Sequence, residues 1–166
     1  LKTPFSEDDQ INNLVSPYAA SKLCTEIYAQ LYHNLYKFSC IGLRFFTVYG
    51  PRGRPDMAPY KFIKSIYNQT VFNKYGDGST FRDYTYIDDI VDGIISALNY
   101  NKFTNEVFNL GNNKPVTLNQ FIKTCENITG KTAKFNTLDI PDGDVKGTSA
   151  DLRKSKKYLK YEPKII

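Results

Sequence analysis

Histidine occurs once in this chain, as His33, and tryptophan not at all. A Ser-His-Asp arrangement or a zinc site would have to be built around that single imidazole. His33 lies in a polar-flanked helical stretch, where a structural or solvated role fits better. Cysteine is scarce too: Cys24, Cys40 and Cys125 are odd in number and show neither metal-binding nor redox spacing. They read as reduced thiols, so a cytoplasmic setting and no metal are expected. No apolar run approaches the length of a membrane span and no basic-then-apolar leader opens the sequence, so no membrane partner is expected. Internal repeats and low-complexity segments are absent as well.

What remains is ordinary for a folded domain: 166 residues, 41% hydrophobic and 23% charged, enough for a real core. The net charge is +5, with the excess concentrated in Arg153, Lys154, Lys156, Lys157, Lys160 and Lys164. Such a run could touch nucleic-acid phosphates, but no recognition-helix pattern accompanies it. A solvated terminal helix and no nucleic acid are expected. Mild basicity also suits an anionic small substrate.

Residues 1–15 read as a polar surface loop. Ser16 as N-cap and Pro17 at the first helical position open a helix to about Tyr36. It carries two apolar stripes, one through Ala20, Leu23, Ile27 and Leu31, the other through Tyr28, Tyr32 and Tyr36. Burial on both sides follows, one against a sheet and one against a partner subunit. Ser39–Phe46 alternates little, as in a strand covered on both faces. Tyr49–Pro55 is a loop, and Pro59–Gln69 suits a helix. Val71–Tyr75 and Thr80–Ile87 read as strands joined by a turn at 76–79. Asp88 is the expected cap of a helix through Leu98, and Glu106–Leu110 another strand. Thr117 and Gln120 form a capping box for a helix stopped by Gly130. A strand near Ala133–Thr137, a turn at Pro141-Asp142-Gly143-Asp144 and a basic helix from about Asp151 complete the chain. The alternation predicts an α/β fold.

The chemistry concentrates in Ser16-Pro17-Tyr18-Ala19-Ala20-Ser21-Lys22. Residues four apart share a helix face, which brings the Lys22 ammonium close to the Tyr18 phenol. A free tyrosine titrates near ~10, and an adjacent positive charge favours the phenolate, as a base working at neutral pH requires.

Four blocks follow in order: Ser-Pro-Tyr-Ala-Ala-Ser-Lys, Leu-Arg-Phe-Phe-Thr-Val-Tyr-Gly-Pro, Arg-Asp-Tyr-Thr-Tyr-Ile-Asp-Asp-Ile and Val-Phe-Asn-Leu-Gly. Together they resemble the extended short-chain dehydrogenase/reductases that act on nucleotide sugars, the NAD-dependent epimerase/dehydratase family. With Gly53-Arg54-Pro55-Asp56-Met57-Ala58 they look most like UDP-glucuronate 4-epimerases. The resemblance covers almost the whole chain. It implies the C-terminal part of a Rossmann-type parallel sheet plus a smaller α/β substrate-binding region. Residues 1–50 would end the NAD-binding domain, and 51–166 would mainly bind substrate, with 83–111 returning to the sheet. No Gly-x-x-Gly-x-x-Gly occurs, so the chain is expected to be the C-terminal half of an enzyme and inactive alone.

The resemblance also implies roles. Tyr18 would be the general base and acid at the sugar 4-hydroxyl, and Lys22 would bind the nicotinamide ribose of the NAD cofactor. Phe46 would contact the nicotinamide and Thr47 the substrate. Asn73, Lys74 and Tyr75 would lie along the uracil, Arg82 would pair with the UDP diphosphate, and Asp144 would hold the ribose hydroxyls with Thr148 nearby. Pro141 stands where relatives often carry a phosphate-binding arginine, and Asp56 where some carry an asparagine, so Asp56 is left out of the site. Arg52 and Arg54 are candidates to neutralise a sugar carboxylate or diphosphate. The implied reaction is UDP-glucuronate to UDP-galacturonate through a transient 4-keto sugar. The implied assembly is a homodimer through helix 17–36. A 4,6-dehydratase or decarboxylase of the same family, or a non-catalytic UDP-sugar-binding or dimerisation module, are the alternatives.

Overall fold

A computed structural model describes residues 3–11, 14, 16–141 and 144–165. The expected turn at Asp142-Gly143 and parts of the 1–15 segment lie outside the described residues. Helix α1 (Pro17–Tyr36) begins where the Ser16 hydroxyl accepts the Ala19 N–H at 3.1 Å. It ends at Lys37, whose left-handed backbone (φ 57°) turns its N–H back to the His33 carbonyl. The sequence-predicted limits hold because both ends are fixed by local groups.

β1 (Cys40–Phe45) pairs in parallel with β6 (Asn105–Leu110), Ile41 facing Glu106 and Phe45 facing Leu110. β2 (Thr47–Tyr49) pairs in parallel with β5 (Tyr84–Tyr86). On the face of these strands, α3 (Ile87–Leu98) and α5 (Arg153–Leu159) enclose a core of Ile90, Ala97, Phe108, Leu110, Leu152, Leu159 and Tyr161. A second, smaller core of Ile66, Phe72, Ile122 and Cys125 joins α2 (Ala58–Asn68), β3 (Phe72–Tyr75) and α4 (Leu118–Thr129), with β8 (Phe135–Leu138) parallel to β3. The Thr117–Gln120 capping box and the left-handed Gly130 stop bound α4 as expected. No helix among the described residues is long and apolar enough to cross a membrane. No His, Cys, Asp and Glu among them cluster to hold a metal.

Several expectations need correction. The sheet side of α1 is half-buried rather than fully buried, while within this single chain Ile27, Tyr28, Leu31, Tyr32, Leu35 and Tyr36 are exposed. β1 has α1 on one face and α3 on the other, as expected, yet its residues are only half-buried, because among the described residues β6 alone pairs with it and its other edge stays open. The stretch Thr80–Ile87 is two strands, not one. It breaks at the buried Asp83 into β4 (Phe81–Arg82), antiparallel to β7 (Val116–Thr117), and β5. The turn at 76–79 joins strands with different partners, β3 pairing with β8 and β4 with β7. Asp88 does not cap α3: the extended Tyr86 occupies the cap position with no side-chain bond, since β5 runs straight into the helix. Asp89 instead is buried and accepts the Lys164 and Ile165 N–H groups at 2.9 and 3.0 Å. The segment after Thr3 is stitched down: Phe5 donates to the Ser149 carbonyl, and Glu7 accepts the Asn109 N–H on β6. In the basic tail, Arg153, Lys154 and Lys164 pair with Asp151, Glu106 and Asp92.

Candidate active site

The first turn of α1 delivers Tyr18 to the rim of a cavity of about 850 Å³, where it is 71% exposed. One turn on, the Lys22 Nζ stands 5.4 Å from the centroid of the Tyr18 ring, the contact that the four-residue spacing predicts. Among the described residues no carboxylate pairs with Lys22, and it touches the cavity only through Tyr18, since Lys22 itself does not line it. A bidentate pair clamps α1 to β1: Arg44 Nε and Nη2 each donate to a Glu26 carboxylate oxygen at 2.8 Å. That hydrogen bonding holds the Arg44 pKa above its ordinary value against the opposing effect of burial. The clamp thus sets the helix that carries Tyr18 against the strand that lines the cavity.

The cavity opens at the carboxyl ends of parallel strands, where α/β folds bind ligands. Half-exposed Phe45, then Phe46 and Thr47, follow one another along its wall. Phe46 also packs on the main core, so wall and core are one role. Thr148 faces in from the chain's far end; its Oγ1 accepts the Asp83 N–H at 3.2 Å. Tyr18, Phe46, Thr47 and Thr148, separated widely in sequence, line the same cavity.

Of the other expected residues, Arg52 and Arg54 line the cavity, whereas Arg82, Asp144, Asn73, Lys74 and Tyr75 stand apart from it. Arg82 and Asp144 meet each other, with Nη2 to Oδ1 at 2.8 Å, so the implied phosphate and ribose ligands form one ion pair. Arg54 is engaged by Asp56, whose carboxyl the guanidinium holds below the usual carboxylate range. Arg52, at the cavity and in the left-handed region (φ 63°), has no such partner among the described residues. Asn73, Lys74 and Tyr75 lie on β3, outside the cavity; Asn73 and Tyr75 are exposed, and Lys74 is buried with Nζ 5.1 Å from the Phe135 ring centroid.

Two residues escaped sequence reasoning. Arg44 carries a charge in an otherwise apolar strand, and Asp83 interrupts an alternating one. A charged residue where periodicity demands burial was the available signal in both places.

Residues 2–111 match the model of the NAD dependent epimerase/dehydratase family. An uncharacterised protein of Methanocaldococcus jannaschii is 51% identical over 164 residues, covering 99% of this chain and 50% of that protein. A UDP-glucuronate 4-epimerase of Thermodesulfobacterium geofontis is 45% identical over 163 residues, covering 98% and 50%. The solved structure of UDP-glucuronic acid 4-epimerase from Bacillus cereus, in complex with UDP-glucuronic acid and NAD, superposes with a TM-score of 0.94 at 37% identity. That match takes in 100% of this chain and 53% of the other. The chain spans about half the length of the relatives it matches. The mixed α/β architecture, the cavity at the strand ends and these matches agree: the chain belongs to the NAD dependent epimerase/dehydratase family.

Proposed function

We propose that this chain is the C-terminal half of a cytoplasmic nucleotide-sugar 4-epimerase that interconverts UDP-glucuronate and UDP-galacturonate. The observation that carries the proposal is Tyr18 at the cavity rim with the Lys22 ammonium 5.4 Å from its ring centroid. The relatives named above support the substrate class. Tyr18 takes the proton from the sugar 4-hydroxyl and later returns it to the same oxygen, and Lys22 supplies the positive charge that steadies the phenolate. Thr47 and Thr148 offer hydroxyls along the cavity wall that orient the sugar. Arg82 presents a guanidinium fork to the diphosphate once it leaves Asp144, and Asp144 is then free to accept the ribose hydroxyls. Asn73, Lys74 and Tyr75 form the uracil side.

The residues present fit one end of NAD. The Tyr18 hydroxyl and the Lys22 ammonium suit a ribose diol, and Phe45 and Phe46 offer apolar wall for a flat ring. No glycine-rich turn for the pyrophosphate occurs in these 166 residues. When bound, NAD supplies reversible hydride acceptance at C4, so the reaction has no net redox change.

In this reading residues 1–50 close the NAD-binding domain, 51–166 mainly bind substrate with 83–111 returning to the sheet, and the 166-residue chain alone is inactive. The exposed stripe of Ile27, Tyr28, Leu31, Tyr32, Leu35 and Tyr36 supports a homodimer through α1. Light scattering that shows only monomer for the full-length protein would remove the dimer. The activity is tested by NMR of UDP-glucuronate incubated with full-length protein: UDP-galacturonate is expected. A pentose product with loss of CO₂ would instead make the protein a decarboxylase.

A further inference from the structure

Asp83 is fully buried, at 0% exposure, in the single-residue gap between β4 and β5. Its carboxylate meets three backbone N–H groups and, among the described residues, no cation. Oδ1 accepts from Asn112 at 2.8 Å, and Oδ2 accepts from Asn113 at 2.9 Å and from Ala150 at 2.8 Å. A buried charge is tolerated when fixed donors point at it, so the carboxylate ties the 112–113 and 148–150 segments to β5. Packing beside the carboxylate is close: a Cβ on Gly111 would lie 2.5 Å from the Ala150 Cβ and 3.1 Å from Asp83 Oδ2.

The main chain of the same residue is used as well. Its carbonyl accepts the Thr47 N–H at 3.0 Å, and its N–H donates to Thr148 Oγ1 at 3.2 Å. Arg82 precedes it in the chain. One residue therefore stands at the junction: its main chain bonds both cavity threonines, its carboxylate holds the segment that carries Thr148, and the guanidinium outside the cavity is its chain neighbour. We infer that Asp83 is a positioning residue: it sets the sugar end of the site, Thr47 and Thr148, at a fixed span from the diphosphate arginine Arg82. The inference rests on the substrate reading above.

The reasoning separates two functions. If the carboxylate is lost, β4 keeps its pairing with β7 and Arg82 keeps its strand, whereas 112–113 and 148–150 lose their shared anchor. Asp83→Asn, which preserves shape, is expected in full-length protein to leave the Kd for UDP within about twofold. The kcat for UDP-glucuronate should fall about tenfold or more, because small misplacements at a reacting centre cost large factors in rate. Unchanged kcat and KM per folded molecule, with only a lower Tm, would overturn the inference; so would equal losses of UDP binding and turnover in a folded variant.

Amide hydrogen exchange on the wild-type protein gives a second reading that needs no variant. The Asn112, Asn113 and Ala150 amides should exchange slowly, as one group, and more slowly still with UDP-glucuronate bound. Independent or fast exchange would refute the anchor. If wild-type protein neither binds UDP nor turns over the sugar, the substrate reading fails, and the exchange of these three amides decides the role of Asp83 by itself.

Discussion

Replacing Glu26 by Gln removes the charge that meets Arg44 while keeping the side chain's shape. Both partners are about three-quarters enclosed, with side-chain exposures of 26% for Arg44 and 25% for Glu26. A hydrogen bond to a charged group is worth roughly 1.5–3 kcal/mol, and the exposed quarter moves the pair toward the low end. Losing one partner also leaves a half-buried guanidinium uncompensated. The coupling between the two side chains is therefore about 2 kcal/mol, about 30-fold in the folded-to-unfolded ratio. For a domain of about 150–250 residues that is a Tm drop of about 4–8 °C, and it is smaller in a longer protein.

The assay is a double-mutant cycle in full-length protein with Glu26→Gln, Arg44→Gln and the double variant, read by chemical denaturation. Since Arg44 has its pKa raised in the fold, its contribution is fully present below the unfolded value and is lost only as pH rises through the folded one. On the arginine side the coupling should thus stay flat from about pH 6 to 9. A coupling energy below about 1 kcal/mol would refute the clamp, because an exposed pair gives no more than that.

Three further outcomes are expected. Tyr18→Phe should lower the kcat of the full-length protein about 10²- to 10⁴-fold, the range for losing a general acid–base group; a loss under about tenfold would remove Tyr18 from the chemistry. Asp144→Asn should release Arg82, tightening inorganic pyrophosphate about two- to fivefold by calorimetry while weakening uridine, in line with the modest strength of a part-exposed ion pair; unchanged pyrophosphate affinity would contradict this. The Arg153 guanidinium holds the Asp151 carboxyl below the usual carboxylate range, so this pair stabilises above the unfolded pKa of about 4 and is lost as pH falls through the folded value. Asp151→Asn should therefore flatten the acid limb of a stability–pH curve, and an unaltered limb would show the pair to be idle.

What the sequence reveals here is mostly local. Ser16-Pro17, the Thr117–Gln120 box and Gly130 mark helix ends because the groups that satisfy the terminal N–H and C=O lie within a few residues. Tyr18 and Lys22 meet because one helical turn joins them. The partnerships that shape the site are long-range instead. Arg82 finds Asp144 and Asp83 finds Ala150 across more than sixty residues, and nothing in the residue types says which cation takes which carboxylate. Strand pairing shows the same limit: Thr80–Ile87 has the alternation of one strand, yet the buried Asp83 splits it between two partners. The family resemblance supplied roles for Arg82 and Asp144, but their mutual ion pair is visible only in the fold.

The central claim is that Tyr18 works on the oxygen at C4 while the hydrogen on that carbon stays inside the protein. UDP-glucuronate deuterated at C4, converted by full-length protein in ordinary water, tests it directly by NMR of the product. Retention of deuterium at C4 of UDP-galacturonate is the predicted result. Washout into solvent would mean proton abstraction from carbon and would contradict the role given to Tyr18.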